Sequence, residues 1–324
     1  MNPSIIKVVD LTKTFDDFVA VDCLNFTVHK NEIFGFLGPN GAGKTTTINM
    51  LTGLACPTRG DIYIDDTQYT PKRKNAQDVI GVVPDESNLY DELDGFENLC
   101  FCAALYGIRK NERERRAKNL LDQFNLTAAA KKLYKSYSKG MKRKLTLAAG
   151  IIHHPTVLFL DEPTTGIDVA SARQIRSLVK ELNETGTTIF MTTHYIEEAE
   201  RLCHRIAFIV NGRIVKVGSI KELLADAQRD NIIQFTMDAT LDIQFEADFR
   251  RHFQSCSIER IDNSVVRIQS STARDLMPFM TFFNTRNIKV MEAKIIKPSL
   301  EEVFVKITGI ERDEMRKEKE GKKK

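Results

Sequence analysis

The stretch GPNGAGKTT, Gly38 to Thr46, stands directly behind the apolar run IFGFL, Ile33 to Leu37. Gly38-x4-Gly43-Lys44-Thr45 fits the full phosphate-loop pattern, with a strand expected before it and a helix after it. Glycines let backbone N–H groups turn inward around phosphate oxygens, and the helix start adds its positive dipole end. Pro39, Asn40, Gly41 and Thr46 complete the cradle. Lys44 is placed to reach β- and γ-phosphates, and the Thr45 hydroxyl to ligate Mg²⁺. The expected ligand is a nucleotide with its magnesium. Kinases, switches, motors and pumps share such cradles, so the use of the nucleotide must be read elsewhere.

Three further pieces carry chemistry. In VLFLDEP, four apolar residues deliver Asp161 to the carboxyl edge of a buried strand, where a carboxylate can hold a magnesium shell. Glu162 follows and can polarise an attacking water as general base. An apolar-then-acidic run is common by itself; lying 117 positions after Lys44 it becomes a specific signal. In YSKGMKRKL, Ser138 and Gly140 precede a helix. They offer a hydroxyl and bare backbone donors, either as a second anion site or as a plain helix cap. His194 ends the apolar run TIFMTT and lies beyond the same sheet edge as Asp161. It is either a structural histidine or a sensor of a γ-phosphate.

Bulk properties exclude other classes. The chain has 324 residues, 28% charged, with a formal net charge of +3, a balance that gives nucleic acid no support. Six scattered cysteines form no CxxC pair and read as reduced thiols. No signal peptide and no run of about 18 apolar residues is expected, so membrane work would go through a partner. Apolar runs at Ile33–Leu37, Val157–Leu160, Thr188–Thr193 and Ile206–Val210, separated by helical patterns, predict an α/β core with a largely parallel sheet. The first helix is expected to run from the glycine loop to Gly53, and Asn211-Gly212 to turn a hairpin. The predicted domains are residues 1–225, with a charged helical subdomain at about 86–150, and a small α+β domain at 230–310. A charged tail, 311–324, follows and is expected to be disordered, either solubilising or touching anionic lipid.

Taken in order, the phosphate loop, YSKGM, LDEP, TTGID and TTH resemble the nucleotide-binding subunit of an ABC transporter over roughly residues 4–225. The resemblance implies a P-loop ATPase of ABC type acting as a head-to-tail dimer, homodimeric or with a paralogous subunit. The YSKGM segment of one copy would close on the ATP held by the other. It implies Glu162 as catalytic base, His194 as switch histidine, Asp168 as dimer-contact aspartate and Phe15 as the aromatic that stacks on adenine. Three motifs depart from the family pattern. Tyr137, Lys139 and Met141 alter the signature; Asp85 stands where a glutamine is usual and can still hold Mg²⁺ or water; Phe15 replaces a tyrosine.

The stretches NLYDELDGFENLCFCAALYG and PSLEEVFVKITG resemble one branch, the stand-alone ATPases of exporters for drugs, antibiotics and polysaccharides. Members of that branch pair with a separately encoded membrane permease, so the resemblance implies such a partner for this chain and a place in the cytoplasm on the inner membrane face. Tyr90, Leu93, Phe96 and Leu99 are candidates for the permease groove or for the subdomain core. The competing readings are a soluble ABC ATPase acting on nucleic acid or ribosomes, and a regulatory subunit that binds ATP without hydrolysing it.

Overall fold

The computed structural model describes residues 3–69, 78–227, 231–238, 244–270, 275–296 and 299–310. The chain forms two compact units, Met1–Ile220 together with the chain from Phe304, and Lys221–Val303. The expected tail at 311–324 lies outside the described residues.

In the first unit, β1 (Ser4–Phe15), β2 (Phe18–His29) and β3 (Ile33–Leu37) lead into α1 (Lys44–Leu51). Next come β4 (Arg59–Ile64), β5 (Thr67–Gln68), β6 (Ile80–Val83), α2 (Gly95–Leu105), α3 (Lys110–Gln123) and α4 (Lys139–Ile151). The unit continues with β7 (Val157–Asp161), α5 (Val169–Glu184), β8 (Thr188–Thr193), α6 (Ile196–Leu202), β9 (Arg205–Val210) and β10 (Arg213–Ser219).

A six-stranded sheet has the order β10-β9-β3-β8-β7-β6. Its strands β3, β7 and β8 are buried along their whole length, which is why they read as continuous apolar runs. The parallel register sets Leu37 beside Thr193, and Asp161 beside Thr192. The carboxyl ends of three strands therefore meet at one edge, the place where open α/β sheets bind ligands. At Asn211 and Gly212, φ values of 48° and 74° make the tight β9–β10 turn that the sequence predicts. Helix α5 buries Ala172, Ile175, Leu178, Val179 and Leu182, a stripe at helical spacing.

A second, four-stranded sheet, β2-β1-β4-β5, is antiparallel. Phe26 of this sheet meets Phe34, Phe36 and Phe190 of the first, with ring centroids 5.7 to 6.0 Å apart. Such aromatic packing adds to simple area burial and locks the two sheets face to face.

The second unit holds most of α7 (Ile220–Ala227), then β11 (Asn231–Met237), α8 (Phe245–His252), β12 (Cys256–Arg260), β13 (Val265–Ser270), α9 (Met277–Asn284) and β14 (Val290–Ile296). Its antiparallel sheet, β12-β13-β11-β14, encloses a core in which Phe235, Phe249, Phe279 and Phe283 are all but fully buried. The last helix, α10 (Leu300–Thr308), ends in the first unit. There Phe304 packs edge-on against Phe208, centroids 5.2 Å apart.

Candidate active site

Gly38 leaves β3 at the sheet edge, where a Cβ would lie 2.1 Å from the Ile209 carbonyl oxygen, so only glycine fits. Gly43, at φ 98°, is the residue before α1, and no side chain caps that helix. Its first N–H groups and positive dipole end therefore face the loop. The Lys44 side chain is buried. Its Nζ donates to the carbonyls of Gly38 and Pro39 at 2.9 and 3.0 Å and stands 3.4 Å from Glu162 Oε1.

Across the edge, the Thr45 hydroxyl donates to Asp161 Oδ2 at 2.9 Å, and the Thr192 hydroxyl donates to Asp161 Oδ1. A hydroxyl and a carboxylate side by side are hard oxygen donors. They match what Mg²⁺ takes from a protein when phosphates and water fill its other positions.

Glu162 has φ 45°, uncommon for a residue with a Cβ, at the point where β7 turns out of the sheet. Its carboxylate receives the Thr165 hydroxyl at 2.9 Å. His194 Nδ1 lies 2.9 Å from Glu162 Oε2, close enough for an ion pair but off the axis of a linear hydrogen bond. Burial pushes the Glu162 carboxyl up, yet the His194 contact, the Lys44 ammonium and the Thr165 hydroxyl outweigh it and hold its pKa at about 2. The phosphate loop, the two acidic residues and His194 thus meet in one constellation.

Other expected site residues lie around this centre. Ser138 is exposed and caps α4, its Oγ accepting the Met141 N–H at 3.3 Å. The plain cap reading is observed, and it leaves the exposed end of α4 available to an anion. Gly140 is buried, and a Cβ there would come 2.2 Å from Ser171 Oγ, so this glycine permits close packing of α4 on α5. Asp168 caps α5 through the Ser171 amide and hydroxyl, at 2.9 and 2.7 Å, which lowers its pKa. Phe15 is 50% exposed, with Lys13 Nζ 4.8 Å from its ring centroid. Asp85 lies two residues beyond β6, next to β7 in the sheet.

Two residues passed over in the sequence hold the centre in shape. Arg143, buried on α4, donates to the carbonyls of Pro84, Asp85, Asp161 and Pro163. One guanidinium therefore ties the Asp85 loop to the Asp161–Glu162 corner. Burial lowers the pKa of Arg143, against the opposing pull of Asp85 and Asp161. Glu198, on α6, accepts the Thr164 and Thr193 hydroxyls at 2.6 and 3.1 Å, bracketing His194 and the loop after Glu162. We expect Arg143→Met to leave buried carbonyls unpaired and cost about 3 kcal/mol. Denaturant midpoints check that figure. The same variant should lower hydrolysis more than ATP affinity, because the misplaced groups are Asp85 and Glu162 rather than the phosphate loop.

The candidate groove residues divide. Leu99 is fully buried and belongs to the core of the helical region, while Tyr90 is 52% exposed. Tyr90 meets Phe101 edge-on at 4.8 Å, and Leu105 one turn further along α2 is exposed too.

A phosphate loop at the edge of a largely parallel sheet, with paired acidic residues and a histidine at the ends of adjacent strands, is the equipment of a nucleotide hydrolase. The chain belongs to the ABC transporter family of ATP-binding proteins. The family pattern described as ABC transporter matches residues 21–165. The linearmycin resistance ATP-binding protein LnrL of Bacillus subtilis is 33% identical over 302 residues, covering 93% of this chain and 97% of that protein. The daunorubicin/doxorubicin resistance ATP-binding protein DrrA of Streptomyces peucetius is 34% identical over 308 residues, covering 94% and 92%. A solved ATP-binding subunit of an ABC transporter superposes with TM-score 0.63 and 29% identity, over 69% of this chain and 93% of that one. The dimeric cassette MJ0796 bound to ADP and Pi gives TM-score 0.61 and 26% identity, over 67% and 99%. The chain is an ATP-binding and ATP-hydrolysing subunit.

Proposed function

We propose that the chain powers export of a drug or similar cargo through a separate membrane permease, two ATPase subunits working face to face. The observation that carries this reading is the Lys44–Glu162–His194 constellation, since a binding-only subunit has no use for a carboxylate held ionised beside the phosphate cradle. The names of the relatives, two resistance proteins, supply the direction of transport.

In this reading the loop from Gly38 to Thr46 holds the phosphates, and Phe15 faces the base. Thr45 and Asp161 hold Mg²⁺, with Asp85 at its margin. When bound, the metal neutralises phosphate charge and fixes the orientation of the triphosphate. Glu162 orients and deprotonates the attacking water, and His194 reports on the γ-phosphate. The exposed N-terminus of α4 at Ser138 closes on the ATP of the facing copy, with Asp168 at the same boundary. Closure is driven by the extra contacts ATP makes in the joined state, and loss of phosphate releases it. Among the described residues no helix is long and apolar enough to cross a membrane. Coupling at the inner face of the membrane then falls to a surface such as Tyr90, Phe101 and Leu105.

Mixing two dead variants tests the shared centres. Ser138→Arg keeps its own phosphate loop, and Lys44→Met keeps its own α4 terminus. Neither should hydrolyse ATP alone. Mixed in equal amounts they should recover about a quarter of parental hydrolysis, because random pairing puts one complete centre in half of the dimers. A mixture as inactive as its parts would remove the two-copy arrangement.

A further inference from the structure

Beside the phosphate loop lies a cavity of about 580 Å³, within the usual range for small-molecule sites. It is lined by Pro39, Asn40, Gly41 and Ala42 of the loop and by Asn211 and Gly212, whose turn is tied to the loop by the Gly212 N–H donating to the Ala42 carbonyl at 3.1 Å. The apolar part of the lining is Phe18, Val19 and Ala20 of β2, together with Ile310.

Ile310 reaches this place through a defined local path. Phe304 is fully buried and anchors α10 on Phe208 of β9. Gly309, at φ 71°, accepts the left-handed turn that ends the helix, its N–H donating to the Val305 carbonyl at 2.7 Å. The Ile310 N–H is then held by the Thr308 hydroxyl at 3.2 Å. Helix anchor, glycine turn and hydroxyl contact together deliver one apolar side chain to the cavity wall.

We propose that Ile310 forms part of the wall that takes the nucleoside portion of ATP, so that the C-terminal segment completes this subunit's own nucleotide site. The cavity has the polarity of the ligand. Phosphates belong against the backbone of the loop residues Pro39–Ala42, and the weakly polar nucleoside belongs against the apolar lining residues Phe18, Val19 and Ile310. Phe18 is 64% exposed, an apolar surface on the hairpin that a bound nucleoside would cover. The inference rests on the reading that the loop from Gly38 to Thr46 holds the phosphates of ATP.

Calorimetric titration of the full chain with ATP, and separately with inorganic tripolyphosphate, tests it. Ile310→Asp, and a chain ending at Gly309, should each weaken ATP binding about tenfold, the loss expected when one apolar side chain stops contributing to burial. Tripolyphosphate affinity should not change, and Ile310→Val should keep near-parental ATP affinity. Unchanged or tighter ATP binding in both variants would overturn the proposal, as would an equal loss for ATP and tripolyphosphate. Lys44→Met serves as the reference, since it should weaken both ligands. If it weakens neither, the phosphate reading itself is wrong, a failure distinct from that of Ile310.

Discussion

Glu162→Gln is expected to bind ATP within a few-fold of the parent while turnover falls by about 10² to 10⁴, the usual worth of a positioned base. Glutamine keeps the shape and an oxygen for the Thr165 hydroxyl but loses the proton acceptor. With its pKa held at about 2, Glu162 is ionised yet only weakly basic in the ATP-free chain. Bound ATP is expected to shift this balance. In the proposed mechanism Lys44 would turn from the carboxylate toward the phosphates and a phosphate anion would arrive opposite Glu162; each change would raise the basicity of the carboxylate. The variant should also accumulate as an ATP-loaded dimer on size-exclusion chromatography, since release waits on hydrolysis. Single-turnover hydrolysis near the parental rate would remove Glu162 from this role. A pH signature accompanies it. The folded pKa is depressed, so ionised Glu162 stabilises the ATP-free fold above about pH 4.5, by up to about 3 kcal/mol. That advantage over the glutamine variant should shrink as pH falls from 4.5 toward 2.

What could be read from the sequence was whatever each residue's neighbours along the chain decide. Gly38 and Gly43 were legible from their spacing to Lys44 within one short loop, although the room they need is set by Ile209 of β9 and Ala20 of β2. Asp161 follows from four buried residues of one strand, and the Asn211–Gly212 turn from two adjacent residues. The antiparallel sheet was not legible, because register shifts between Val8 and Leu11 and again toward Thr14 break the alternation of β1. Arg143 stands in KGMKRKL and reads as one more surface cation. Carbonyls from residues 84, 85, 161 and 163 draw it inward, and their convergence is a property of the fold. Glu198 was hidden likewise inside the acidic run of α6. The same limit divides Leu99 from Tyr90, two apolar residues of one segment whose burial depends on what packs over them. Ile310 is the extreme case, since its place depends on the path of the chain through the second unit and back.

Lys44→Met should weaken ATP by at least about a hundredfold, since a buried ammonium facing phosphate makes charge-assisted contacts that a thioether cannot replace. It should also destabilise the ATP-free protein by about 3 kcal/mol, a separate effect with a separate cause. Lys44 is buried 3.4 Å from Glu162, and its removal leaves that carboxylate supported mainly by His194 and Thr165. The Glu162 pKa should then rise toward the ordinary carboxylate range, because burial raises it and the largest nearby cation is gone. The double variant Lys44→Met/Glu162→Gln separates the two effects. Removing the stranded carboxylate should restore most of the lost stability, read as the denaturant midpoint, while ATP affinity stays low by calorimetry. If the double variant regains ATP affinity along with stability, Lys44 acts only to neutralise Glu162, and the phosphates must be held by the backbone of the loop alone.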